Sequence, residues 1–287
     1  MKVLITGAGG MLARALRRAL ADRDHDVVAL ERGALDVTDA PAVDAAIRSV
    51  RPEAVVQCAA YTRVDDAESE EACAHRVNAV ATGHVARACR AVGARFLYPS
   101  TDYVFDGRAA APYATDSPPH PLGAYGRSKL AGEEAAREAG DFLIVRTSWL
   151  YGAGGRNFVA SMLAAARAGR ALRVVDDQRG APTWTGTLAG VLAQLLECGA
   201  PAGVYHATNR GETTWYGLAR EAIRLAGLDA EVTPVSTEAW VEGLPAGSPR
   251  PAPRPRYSVL DCTATETLVG PIPAWRDALA VAVGEGV

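Results

Sequence analysis

The chain has 287 residues, 49% hydrophobic and 22% charged, with a formal net charge of −3. That length holds one large domain or two modest ones, and the balance of charge offers no basic stripe for a nucleic-acid surface. Five cysteines (Cys58, Cys73, Cys89, Cys198 and Cys262) are scattered and never form a CxxC, which favours reduced thiols over a disulfide framework or a zinc site. The five histidines show no HExxH spacing, so no metal is expected. No apolar run approaches the roughly 20 residues of a membrane span, and the first residues run straight into a strand and a glycine turn, unlike a signal peptide. The expected location is cytoplasmic.

In chain order, residues 2–6 predict a short apolar strand that stops at Gly7, and residues 11–22 a helix. A strand at 27–30 precedes a helix at 40–50, where Pro41 stands at a position compatible with a helix start. A strand at 54–58, a long helix at 70–92 and a strand at 95–98 follow, then a helix at 129–139 and a strand at 142–145. Strands that are apolar throughout and separated by helices indicate a parallel sheet covered on both faces. The expected fold is therefore α/β, a doubly wound parallel sheet of Rossmann type, over residues 1–150. The remainder, 151–287, reads as mainly a smaller substrate-binding lobe, with some segments returning to the sheet. Its expected elements are helices at 157–168, 187–197, 214–226 and 275–283, a short strand at 203–206, and a Pro-rich surface loop at 244–255.

Gly7-Ala8-Gly9-Gly10-Met11-Leu12-Ala13 follows the first strand and opens the first helix. GxGxxG fails because Leu12 occupies its last glycine, but GxxGxxG/A fits with Gly7, Gly10 and Ala13. Such a turn lets the backbone approach a pyrophosphate, whose charge rests on the N–H groups of the helix start. Glu31, about twenty residues past Gly10, suits an adenine ribose 2′-hydroxyl and NADH. Arg32 beside it suits a 2′-phosphate and NADPH, so the choice of cofactor stays open.

Tyr125 and Lys129 lie four residues apart, on one face of a helix if one begins there. Thr101 sits at the C-terminal end of a strand, where ligands of open parallel sheets bind. A nicotinamide cofactor delivers hydride to a carbonyl carbon, and the oxygen then needs a proton. A phenol with an ordinary pKa near 10 is a weak donor at neutral pH, and an adjacent ammonium lowers that value. Thr101 would donate a hydrogen bond to the same oxygen. Each piece alone also reads as a solvated helix face or a strand-end hydroxyl; their order along the chain favours the catalytic reading.

With these residues in view, the chain resembles the extended short-chain dehydrogenase/reductases, and within them the dTDP-4-dehydrorhamnose reductase family. The similarity rests on Leu35-Asp36-Val37-Thr38-Asp39, on AAYTRVDDAE from Ala59 to Glu68, and on STDYVFDG from Ser100 to Gly107. It continues in YGRSKLAGE from Tyr125 to Glu133, RTSWLYG from Arg146 to Gly152, Asn157-Phe158, and DQRGAPT from Asp177 to Thr183. The resemblance implies a catalytic set of Thr101, Tyr125 and Lys129. It implies a dinucleotide lined by Gly7, Gly10, Met11, Leu12, Asp36, Val37, Ala60, Tyr61, Thr62 and Tyr103, together with Tyr125 and Lys129. Val64, Thr101, Asp102, Trp149, Asn157 and Arg254 would contact a dTDP-sugar. Trp149 could give a sugar an apolar face or could be a core side chain; Arg254 and Arg256 could clamp a pyrophosphate or be solvated.

The C-terminal part departs from the family pattern: Tyr257 replaces the Asn expected before Ser258, and only part of the final motif survives in residues 270–276. A 4,6-dehydratase fits less well, because Tyr103 follows Asp102 where that chemistry needs a second carboxylate. An epimerase is disfavoured by the STDYVFDG pattern. The resemblance implies reduction of the C4 ketone of dTDP-4-dehydro-L-rhamnose to dTDP-L-rhamnose. The alternatives are reduction of a related dTDP-keto-deoxysugar, such as a dihydrostreptose precursor, or a regulatory subunit that binds NADP(H) without catalysis. Some relatives form Mg²⁺-bridged dimers; no ligand cluster for this is seen, and a homodimer remains an open option.

Overall fold

In the strand Lys2–Thr6 (β1), Val3, Leu4, Ile5 and Thr6 are all buried, because β1 runs between two parallel neighbours, β2 (Asp26–Leu30) and β3 (Ala54–Gln57). With β4 (Arg95–Thr101), β5 (Phe142–Thr147) and the strand Gly203–His206 they form a six-stranded parallel sheet in the order β2-β1-β3-β4-β5-(203–206). This computed structural model describes residues 1–245 and 247–287.

Alternate residues of each strand point to opposite faces, so the sheet divides its core in two. Val3 and Ile5 pack with Leu16 and Leu20 of α1 (Met11–Ala21) and with Leu188 and Leu192 of a later helix, Thr185–Glu197. Leu4, Val55, Phe96 and Ile144 face α2 (Ala40–Val50) and the helical run α3 (Glu71–His75), π turn (Arg76–Val80) and α4 (Ala81–Val92). On the same side lies α5 (Ala124–Ala136). A third core, with Tyr151, Leu163, Leu218 and Trp275, joins the helices Phe158–Arg167, Trp215–Leu225 and Trp275–Gly284. All five cysteines are free. No described helix is long and apolar enough to cross a membrane.

The architecture is the doubly wound α/β fold expected, and three local departures bear on the site. The helix expected from residue 129 begins at Ala124, since Glu68 from another segment caps it. β4 continues past Tyr98 to Thr101 despite Pro99. β3 pairs with it only as far as Val56–Leu97, so Pro99 stands where β4 has β5 alone as neighbour. The long helix after β3 carries a π turn around Asn78.

The Pro-rich stretch 244–255 is irregular chain at its described residues, Ala246 lying outside them. It is not wholly a surface loop: Ala252 is buried because Asp65 accepts its N–H at 2.9 Å.

Candidate active site

Gly7 has φ +68°, and a Cβ there would come within 2.6 Å of the Ala59 backbone. Only glycine lets the ends of β1 and β3 approach so closely, at the point where the strand order reverses and a crevice opens. Gly10 N-caps α1 without a side chain, and the first turn of α1 has no acidic residue. Its N–H groups therefore remain available to an anion. Glu31 approaches Gly9 to within 3.9 Å of a Cβ built there, whereas the Arg32 side chain is largely exposed and 3.8 Å from Asp36. The Asp36 carboxylate accepts from the Thr38 N–H and hydroxyl, bonds that hold its pKa below the usual value. Val37, next to Asp36, is buried against the core cluster of that sheet face. These features fit a dinucleotide.

The loop after β3 is fixed from inside. Asn78 in the π turn accepts the Tyr61 N–H at 2.8 Å and donates to the Tyr61 carbonyl and to Ser128 Oγ of α5. Ala60 and Tyr61 thus keep a set distance from α5, while Thr62 is exposed. A Cβ at Gly126 would strike the Tyr103 carbonyl, so α5 also presses against the end of β4.

On this helix the Lys129 ammonium is almost fully buried, donates to the Pro99 carbonyl at 2.7 Å and lies 3.8 Å from the Tyr98 ring centroid. Burial lowers its pKa to about 7, opposed by the Glu133 carboxylate. Tyr125 is half-buried and makes an edge contact with Tyr103 at 5.9 Å. Its pKa is raised, first by burial and then by the Asp102 carboxylate, while the Thr101 hydroxyl pulls it back. In this structure the lysine is bound to Pro99, and the groups that act on Tyr125 are Asp102, Thr101 and Tyr103.

Thr101 ends β4 with its hydroxyl accepting the Tyr103 N–H at 3.2 Å and donating to Asp102 Oδ1 at 3.0 Å. Asp102 is 2% exposed, and burial pushes its pKa up to about 7 against the pull of nearby Ser258 and of the Thr101 hydroxyl, which donates to Oδ1.

An open cleft of about 1310 Å³ lies between the sheet end and the later helices, lined by Tyr103, Phe158, Gln178, Trp215, Arg254 and Arg256. Tyr103 also lines a small recess containing Val64 and Tyr125, so the phenol adjoins the cleft. Trp149, with φ +48°, stacks on Trp215 at 3.6 Å and 7°. Trp215 and Phe158 line the cleft, and the partly exposed Trp149 stacks against Trp215.

Asn157 also departs from the substrate contact expected of it. It N-caps the helix Phe158–Arg167 through Ala160 N–H, and its amide donates to Gly152 O at 2.9 Å, with Met11 Sδ 3.7 Å away. It belongs with the glycine turn. Arg254 pairs with Asp65 at 2.9 Å and lines the cleft from a fixed position rather than as a free cation.

Several residues escaped the sequence reading. Glu68, which accepts the Ala124 N–H at 2.8 Å, and Asp65 lie within a motif but carry no local sign of what they hold. Asn78, a buried amide in an apolar helix, was the one visible signal. Trp215 and Ser258 come from distant segments. Among the described residues no group of His, Cys, Asp and Glu is placed to hold a metal ion.

The chain is similar to known proteins over nearly its whole length. The family model described as the RmlD substrate binding domain matches residues 1–286. A dTDP-4-dehydrorhamnose reductase of Streptomyces griseus is 50% identical, over 96% of this chain and 91% of its own. A probable dTDP-4,6-dihydroxy-2-methyloxan-3-one 4-ketoreductase of Streptomyces antibioticus is 47% identical, over 97% and 93%. Among solved structures, dTDP-4-dehydrorhamnose reductase from Bacillus anthracis in complex with NADP superposes with a TM-score of 0.92 at 36% identity, covering 99% of each chain.

Proposed function

The chain belongs to the RmlD substrate binding domain family, and on that premise we propose that it reduces the C4 ketone of dTDP-4-dehydro-L-rhamnose to dTDP-L-rhamnose, using NADPH or NADH. The observation that carries this reading is that Tyr125, from the first turn of α5, lines a recess together with Tyr103, which follows Thr101 at the end of β4 and also lines the cleft.

A nicotinamide held at this site would supply the hydride. Everything else is the work of this chain's side chains. The glycine turn and the open start of α1 would hold the pyrophosphate, with Met11 and Leu12 beside it, Ala60, Tyr61 and Thr62 on the neighbouring loop and Asp36 on the adenine side. Tyr125 donates its proton to the developing alkoxide, and Thr101 orients the carbonyl oxygen. The raised pKa of Tyr125 keeps the phenol protonated in the free cleft, the state a proton donor must start from. Lys129, bonded to the Pro99 carbonyl, ties α5 to the end of β4 behind Tyr125. Arg256, with Arg254 held by Asp65, offers positive charge to the sugar diphosphate, and Trp215 and Phe158 offer an apolar wall to the remainder of the nucleotide.

We retain within this proposal the division into a dinucleotide-binding part, residues 1–150, and a substrate-covering part within 151–287. The cleft wall from residues 158–178 and 215–256 supports it. The similarity to the Streptomyces antibioticus ketoreductase favours one second reading, reduction of a related dTDP-keto-deoxysugar at the same site. The test is to mix purified protein, NADPH or NADH and a panel of dTDP-4-keto-6-deoxysugars and follow nicotinamide absorbance. Oxidation fastest with dTDP-4-dehydro-L-rhamnose supports the first reading. Oxidation with another sugar alone selects the second, and none with any sugar contradicts both.

A further inference from the structure

Asp176, Asp177 and Gln178 are consecutive, yet each meets a segment that lies far along the chain. The Asp176 carboxylate accepts the Thr214 hydroxyl, and Thr214 caps the helix Trp215–Leu225 by accepting the Gly217 N–H at 3.0 Å. Asp177 Oδ1 accepts both the N–H and the hydroxyl of Thr237, at 2.9 and 2.6 Å, where the short helix Thr237–Glu242 begins. Gln178, buried to 5% exposure, spans the two helices. Its Oε1 accepts the Trp215 indole N–H at 3.0 Å, and its Nε2 donates to Thr237 Oγ1 at 2.9 Å.

The direction of this chain of bonds is forced by its ends. An indole N–H can only donate and a carboxylate can only accept. The Gln178 oxygen must therefore face Trp215, and its nitrogen must face Thr237. Thr237 spends its one hydroxyl hydrogen on Asp177, which leaves its oxygen to accept from Gln178. A side chain that offers an acceptor at one end and a donor at the other closes the chain; methionine in its place would offer neither.

Both ends of the chain stand on the cleft. Trp215 and Phe158 line it, and so does Trp240 from the short helix, together with Gln178 and Thr237. Trp215 also stacks on Trp149, so the ring is held at its face as well as by its N–H. The short helix follows the strand Val232–Val235, which pairs with Leu172–Val175, and Val235 accepts the Asp176 N–H at 2.9 Å.

Resting on the reading that this cleft takes the sugar nucleotide, we propose that Gln178 is a positioning residue. It latches the Trp215 wall to the helix Thr237–Glu242 and so fixes the width of the cleft around the nucleotide. Gln178 acts through Trp215 and Trp240 and takes no part in hydride or proton transfer. Walls that are ordered beforehand spare the ligand the entropy of immobilising them. The latch serves the ground state and the transition state alike, so its loss falls on KM more than on kcat. Its bonds involve neither the glycine turn nor α1.

The experiment titrates dTDP alone, and separately NADPH, by calorimetry into wild type, Gln178→Met, Thr237→Val, the double variant and Thr237→Ser. Gln178→Met keeps the length of the side chain without its amide, and the dTDP Kd is expected to rise about tenfold, the worth of one buried hydrogen bond. Thr237→Val removes the acceptor of the Gln178 amide and is expected to do the same, whereas Thr237→Ser keeps the hydroxyl and restores affinity. The double variant loses no more than the weaker single one, because the two residues act in one chain. The NADPH Kd stays near the wild-type value throughout, and KM for the keto sugar nucleotide follows the dTDP Kd. Unchanged dTDP affinity in either single variant, penalties that add in full, no rescue by serine, or an equal loss of NADPH affinity would overturn the latch. If Gln178→Met does not fold, the partly buried Thr237 carries the same decision through its valine and serine variants. Wild type that binds no dTDP overturns the sugar-nucleotide reading of the cleft and the latch together; wild type that binds it, with unaltered variants, overturns the latch alone.

Discussion

The Glu68 carboxylate accepts the Ala124 N–H at 2.8 Å, so the helix that carries Tyr125 and Lys129 is capped by a side chain from fifty-six residues earlier. Its own N-cap residue, Gly123, offers none. Glu68→Ala is expected to cost about 1 kcal/mol, the usual worth of a helix cap, read as a lower urea midpoint. Because the cap also sets where Tyr125 sits, kcat should fall with it; a variant of unchanged stability would show that Ala124 finds another partner.

A second anchor of α5 is deeper. Glu133 takes two hydrogen bonds from Arg146 at 2.7 and 2.9 Å and one from Ser100 at 2.5 Å, with both charged side chains buried. Arg146→Met removes the cation and leaves a buried carboxylate, which is expected to destabilise by about 3–5 kcal/mol. Chemical denaturation measures this, and pairing the change with Glu133→Leu should recover much of the loss. Equal damage in the single and double variants would mean the pair is not coupled.

How much of this was legible in the sequence depends on how local each cause is. β1, the glycine turn and α2 follow from apolar runs, Gly7 and Pro41, whose effects act over a few neighbouring residues. The start of α5 was not legible, since it depends on Glu68, which meets Ala124 only in the folded chain. The same holds for Trp149. A tryptophan after a strand reads equally as a ligand platform or a core side chain, and its partner Trp215 lies on a distant helix. Arg254 likewise looks free until Asp65 is brought beside it. The electrostatic roles of Lys129 and Asp102 depend on burial, which motif spacing does not report.

Burial of Lys129 leaves a pH signature in stability. Its pKa falls from 10.5 in its ordinary state to about 7 in the fold, so between those values the unfolded chain holds more protons than the native one. Its contribution to wild-type stability therefore rises with pH across that window. Lys129→Met removes the group, and its stability relative to wild type is expected to be greatest at pH 7 or below and to shrink toward pH 10. Thermal unfolding midpoints at pH 6, 8 and 10 check the sign; a difference that does not change with pH would exclude this coupling.

Glu31 lies close to the glycine turn, and Arg32 is exposed beside it. A carboxylate there suits a ribose diol and repels a 2′-phosphate. Glu31→Ala is expected to shift kcat/KM in favour of NADPH over NADH by roughly tenfold, the worth of one charged hydrogen bond. Steady-state kinetics with each cofactor decide it, and a shift toward NADH would place the adenine ribose elsewhere.

The proton donor is the hinge of the whole assignment. Replacing the Tyr125 hydroxyl by hydrogen leaves the ring, α5 and the glycine turn in place. With dTDP-4-dehydro-L-rhamnose and saturating cofactor, Tyr125→Phe should lose about 10²–10⁴-fold in kcat, while the cofactor Kd, followed by protein fluorescence, stays near the wild-type value. Turnover close to wild type in that variant would mean that another group protonates the sugar oxygen and that this reading of the cleft is wrong.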